Sequence, residues 1–127
     1  MVVCHLGREI ECNSKEELES ALMIRFDGKH NHFWIAGNER YPCLEVLVNG
    51  ELSSLIYYPE ESCCMQSIGG TLGLNIEENT LFCQGFVTEL CEIANEFVIP
   101  FSKALEATKE FYLANCQKPS DINWYEF

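Results

Sequence analysis

Between Tyr41 and Ser102 the sequence has no lysine and no arginine, while the same stretch carries Glu45, Glu51, Glu60, Glu61, Glu77, Glu78, Glu89, Glu92 and Glu96. Phosphate contacts need cations, so this deficit argues against direct nucleic-acid binding. It leaves a solvated surface or a docking face for a basic protein. Over the whole chain 20 Asp and Glu stand against 8 Lys and Arg, a formal charge of -12. Long apolar runs are lacking as well. No stretch approaches the roughly 18 residues that span a bilayer, and residues 1–11 show no basic segment followed by an apolar one. The expectation is a cytoplasmic protein without membrane association.

Catalytic signatures are also missing. There is no C-x-x-C pair, no Walker lysine loop, no G-x-G-x-x-G and no G-x-S-x-G. Zinc deaminases of nucleic acids carry H-x-E and P-C-x-x-C elements. Here no His is followed two residues later by Glu, and Pro42-Cys43 runs into Leu44-Glu45-Val46. No residue is assigned a catalytic role, and neither a cofactor nor a metal is expected.

What is present suits one compact domain: 127 residues, 47% of them apolar, with eight Phe, five Tyr and two Trp to fill a core. Eight cysteines in a chain with its own core and no export signal read as free thiols. Cys4, Cys12, Cys43, Cys83, Cys91 and Cys116 lie among apolar neighbours, where a thiol packs as a small hydrophobe. Two constellations offer chemistry. His30-Asn31-His32 would aim two imidazoles to one side of a strand, with Cys63-Cys64 or Cys4-His5 to complete a metal site in space. Cys63 or Cys64 paired with a histidine would make a nucleophile, but Glu60 and Glu61 disfavour a thiolate there. The plainer readings are a solvated turn and loop thiols.

Patterning predicts an α+β domain, a largely antiparallel sheet with two helices packed on one face. Val2–Leu6 and Glu9–Cys12 form an opening hairpin around Gly7. Ser14 and Glu17 make a capping pair for a first helix that stops at Asp27-Gly28. His32–Ala36 and Pro42–Val48 read as strands, and Asn49-Gly50 turns the second into Leu52–Tyr58, ended by Pro59. Residues 60–79 read as a long loop with a short strand near Leu72–Leu74. Thr80–Gln84 and Glu96–Ile99 are further strands. Ser102 caps a helix to about Cys116 that buries Ala104, Leu105, Thr108, Phe111 and Tyr112. Residues 122–127 add a final edge strand or dock their aromatics on the core.

Five ordered blocks run from Tyr41 to Phe127. They are Pro42-Cys43-Leu44-Glu45-Val46-Leu47-Val48, Tyr57-Tyr58-Pro59, Gln66-Ser67-Ile68-Gly69-Gly70, the stretch Phe97-Val98-Ile99-Pro100-Phe101-Ser102-Lys103-Ala104-Leu105, and Pro119 through Trp124-Tyr125-Glu126-Phe127. In these the chain resembles the immunity proteins encoded beside polymorphic deaminase-fold toxins (immunity protein 1 family). It is similar to those that neutralise double-stranded-DNA deaminases. The resemblance implies a stoichiometric inhibitor, without catalysis, of a cognate toxin's catalytic domain. An acidic inhibitor would complement the basic cleft of such a toxin. The blocks themselves read as scaffold, with Trp124 as a core plug and Gly69-Gly70 as a turn. The expected toxin-binding residues are therefore those of the irregular segment: Glu60, Glu61, Glu77 and Glu78 facing the cleft, with Met65, Gln66 and Ile68 beside them. Alternatives are an immunity protein for a nuclease or peptidase toxin, and a thiol or metal protein using His30, His32, Cys63 and Cys64.

Overall fold

The computed structural model describes residues 1–70, 72–85 and 89–127. The alternation of apolar residues in 43–58 closes as expected into an antiparallel hairpin. β4 (Cys43–Asn49) pairs with β5 (Leu52–Glu60) across Gly50, whose positive φ of 60° suits glycine in a tight turn. β3 (His30–Ala36) flanks β4, with Phe33 opposite Val46. β1 (Val2–His5) and β2 (Arg8–Glu11) make the opening hairpin, and β1 joins β3. On the far side β6 (Cys63–Ser67) pairs with β5, and β10 (Trp124–Glu126) lines the outer edge of β6. The strand order is β10-β6-β5-β4-β3-β1-β2, with the two-residue β9 (Ile99–Pro100) also on β5. The fold is α+β, as the patterning predicts.

Two helices cover one face. α1 (Lys15–Leu22) starts at Ser14, whose Oγ accepts from the Glu17 amide at 3.1 Å, and buries Leu18, Ala21 and Leu22. α2 (Phe101–Leu113) buries Phe101, Ala104, Ala107, Thr108 and Phe111. Between helices and sheet lie Phe33, Ile35, Leu44, Val46, Val48, Leu55 and Tyr57, with Trp124 packed at the margin of this core. The indole of Trp124 donates to the Pro119 carbonyl at 2.9 Å, which satisfies its one polar atom. The other face carries a separate two-stranded hairpin, β7 (Asn79–Cys83) with β8 (Leu90–Ala94). Phe82 there joins Leu47, Ile56 and Val98 in a second apolar cluster. Consequently β4 is buried on both faces from Cys43 to Val48.

Several local expectations are corrected. The first helix ends at Leu22, ahead of Asp27-Gly28, and Arg25 folds back to donate to the Leu22 carbonyl at 2.6 Å. β5 runs through Pro59 to Glu60. Its register against β6 shifts between Tyr57 and Glu60, and β4 pairs only as far as Tyr58, so the missing proline donor breaks no ladder bond to β4. Residues 63–67 form a strand, whereas Leu72–Leu74 do not. β6 is polar where a strand is usually apolar because its interior bonds are made by side chains. Gln66 Nε2 donates to Ser54 Oγ at 3.0 Å, and Ser67 Oγ donates to the Phe97 carbonyl at 3.0 Å. Residues 95–97 form a 3-10 turn, so only Ile99 of the expected strand over 96–99 is extended and paired. Ser102 does not cap α2. Pro100 occupies that position, and the Phe101 amide is satisfied instead by the Glu51 carbonyl at 2.8 Å. α2 stops at Leu113, where the left-handed Asn115 and Cys116 turn the chain away.

Gly69 is needed for proximity. A Cβ there would lie 1.8 Å from the Val98 carbonyl oxygen and 2.8 Å from its carbon. Gly69→Ala should therefore force the 66–70 and 96–98 backbones apart and cost about 1–3 kcal/mol in urea unfolding. An alanine variant as stable as the parent would show that the two segments are not held against each other.

Candidate functional site

The β7–β8 hairpin has two unlike sides. Cross-strand partners share a side, so Thr80 with Ile93 and Phe82 with Cys91 turn towards the sheet, and Phe82 is fully buried. Leu81 with Glu92 turns outward, and by alternation so does Leu90, although its partner Cys83 is buried. Leu81 is 46% exposed and Leu90 64% exposed. The two are diagonal neighbours across the hairpin, about 7–8 Å apart in such a pair. Ile76 is exposed just before the hairpin. Glu92 is exposed on the same side, Glu77, Glu78 and Glu89 are exposed in the segments flanking the two strands, and the sequence stretch contributes no cation.

The residues singled out from sequence divide. Glu77 and Glu78 belong to this face, in a turn shaped by Asn75, whose Oδ1 accepts from the Glu77 amide at 3.0 Å. The Glu78 carbonyl accepts from Asn95, and this ties the turn to the segment leading into β9, where Ile99 pairs with Ser53. Glu60 and Glu61 are exposed at the opposite end of β5, a strand length of roughly 20 Å away. Met65 is partly buried against the helix-side core, and Gln66 is only 7% exposed and bonded to Ser54. Ile68 is exposed beyond β6. The structure thus brings Glu77 and Glu78 together with leucines that patterning did not single out, and separates them from Glu60 and Glu61.

Beneath the hairpin lies a buried polar network that sequence reading missed. Glu45, 2% exposed, accepts from Tyr58 Oη at 2.9 Å and faces His32 Nε2 at 2.6 Å. Gln84 Nε2 reaches the same carboxylate at 3.5 Å. His32, 5% exposed, accepts at Nδ1 from the Gly85 amide at 2.8 Å. Because a backbone N–H can only donate, Nδ1 is unprotonated and the ring proton sits on Nε2, pointing at Glu45. The Trp34 ring stands between them, 5.6 Å from His32 and 5.5 Å from Tyr58. Burial, with the Glu45 carboxylate beside it, pushes the Tyr58 phenol far above its ordinary range, so it remains a donor.

Of the residues considered for metal or thiol chemistry, Cys4 and His5 line one depression with His32, whereas His30, Cys63 and Cys64 lie outside it. His30 and His32 share a side of β3, but Cys63 and Cys64 are on β6, with β4 and β5 between. His30 Nδ1 is 2.7 Å from Asp27 Oδ2, and hydrogen bonds from His30 hold the Asp27 carboxyl down at about 2. Among the described residues no group of three or more His, Cys, Asp or Glu converges. All eight cysteines are free thiols. Cys63 Sγ donates to Glu60 at 3.2 Å, and that bond raises its pKa away from thiolate formation. Burial likewise pushes Cys43 up to about 11. Among the described residues no helix is long and apolar enough to cross a membrane. The chain matches no protein-family model and no characterised protein.

Proposed function

We propose that the protein is a non-catalytic inhibitor that binds the catalytic domain of a cognate toxin, a nucleic-acid deaminase, and blocks its basic substrate cleft in the cytoplasm. The observation that carries the reading is the outer face of the β7–β8 hairpin. There exposed Leu81 and Leu90 share the hairpin with exposed Glu92, and exposed Glu77, Glu78 and Glu89 flank its strands in a stretch of sequence without lysine or arginine. Apolar anchors inside an acidic rim suit a partner that presents an apolar patch within a positive surface. The resemblance of the 41–127 blocks to immunity proteins supports the same assignment. His32, one of two imidazoles lining a depression with Cys4, has both nitrogens engaged.

The test uses the C-terminal domain of the toxin encoded by the adjoining gene. Titrating this protein into that domain should reduce deamination of its nucleic-acid substrate in proportion and abolish it at one equivalent. Undiminished deamination with the inhibitor in excess would refute the reading. Inhibition of a nuclease or peptidase domain encoded there would retain the inhibitor and replace the toxin class.

A further inference from the structure

The His32 contacts assign two opposed jobs to one ring. At Nε2 the imidazole donates into the buried Glu45 carboxylate, and at Nδ1 it accepts from Gly85, at the Gln84–Gly85 end of β7. We propose that His32 is a proton-operated latch: the neutral ring holds the Gln84–Gly85 end of the hairpin on the sheet, and the protonated ring releases it.

Adding a proton at Nδ1 makes both ring nitrogens donors. The Gly85 N–H then faces another N–H, so that bond is lost and replaced by repulsion. At the same moment the imidazolium and the Glu45 carboxylate become an ion pair at 2.6 Å, with Tyr58 still donating to the other carboxylate oxygen. Protonation therefore tightens the β3–β4 side of the network and frees the hairpin side. A purely structural histidine, accepting from its own sheet, would couple nothing across layers. Here the acceptor nitrogen spans from sheet to hairpin.

The surroundings offer proton access. A depression of about 280 Å³, lined by Cys4, His5, Leu6, Gly7, His32, Trp34 and Gly85, opens beside the ring. The titratable neighbours are Glu45 on β4, Tyr58 on β5, Cys4 and His5 on β1, Cys91 on β8, where Glu45 is felt electrostatically, and Glu89, whose carboxylate lies beside Gly85. Two positions along β3 on the same side, His30 is already paired with Asp27. Burial holds His5 neutral and Cys4 protonated. His32 is thus the imidazole in this layer that has the Gly85 amide as its direct partner.

The hairpin end that His32 holds belongs to the element bearing Leu81 and Leu90, so the latch would regulate the docking face. That consequence rests on the proposed inhibitor function, but the latch can be tested on the free protein. Nuclear magnetic resonance of the full chain during an acid titration would follow the His32 ring nitrogens and amide exchange together. After correction for intrinsic exchange, Gly85 protection should fall about tenfold through the His32 midpoint, the worth of one lost hydrogen bond. Val46 in the sheet interior should keep its protection, and His32→Gln should remove the step at Gly85. If the ring gains its proton while Gly85 is unchanged, or if Gly85 and Val46 lose protection together, the latch is overturned. The wild-type comparison of Gly85 with Val46 decides the matter even if the variant does not fold. A negative toxin-binding result would leave this outcome unaffected.

Discussion

Replacing Leu81 and Leu90 with alanine is expected to weaken toxin-domain binding by roughly 100-fold or more, mostly through faster dissociation. Buried apolar anchors at an interface centre cost about 2 kcal/mol or more each when truncated, and each 1.4 kcal/mol is tenfold in affinity. Both side chains are largely exposed in the free protein, so their removal should leave thermal stability nearly unchanged. Reversing Glu77, Glu78, Glu89 and Glu92 to lysine acts on a different step. It should slow association and flatten its dependence on salt, because rim charges steer the encounter. Reversing Glu60 and Glu61, at the far end of β5, supplies the contrast. Association and dissociation rates at several salt concentrations would distinguish the surfaces. If the Glu60 and Glu61 changes slow association and the hairpin changes do nothing, the partner docks on the β5–β6 turn.

The largest effect on stability is expected at Glu45. Glu45→Ala leaves the His32 Nε2–H and the Tyr58 hydroxyl without their buried acceptor, and each buried donor left unsatisfied costs about 1–3 kcal/mol. For two donors that is a large share of what a domain of this size has to lose. Glu45→Gln keeps an acceptor oxygen and should cost distinctly less, with His32 and Tyr58 sharing it. Denaturant midpoints for the two variants would settle their order. An alanine variant as stable as the glutamine one would mean that the network contributes nothing to the fold.

The sequence made the helix-side half of this molecule readable and hid the other half. The Ser14 cap, the Asn49-Gly50 turn and the alternation of Leu44, Val46 and Val48 are local signals, and local structure obeyed them. β6 was obscured because Ser and Gln provide its interior contacts through side-chain hydrogen bonds, so it lacks the branched apolar residues that mark strands. β8 was missed for a related reason: its outward positions carry Leu90 and Glu92, and this breaks the alternation of a half-buried strand. The second core layer did leave a trace. Trp34, Leu47, Ile56 and Tyr58 occupy the positions of β3, β4 and β5 that a two-layer fold would give to water, and such large apolar side chains call for a cover. Had that cover been inferred, His32 and Glu45 would have read as buried partners. The candidate surface was half legible for the same reason. Glu77 and Glu78 announce themselves by charge, while Leu81 and Leu90 look like core until the hairpin register turns them outward.

The order of strands bears on how the chain finds this fold. From β3 to β6 each strand pairs with the next in sequence, so residues 30–67 can assemble through short loops. Closing such loops loses little chain entropy, and contacts of this kind form early. β1 reaches β3 only after β2 and α1 have been bypassed, and β10 reaches β6 from almost half the chain away. The meander should act as the nucleus and both flanks as late additions. Substitutions at Val46 or Leu55 would then retard folding, and changes at Trp124 would chiefly hasten unfolding.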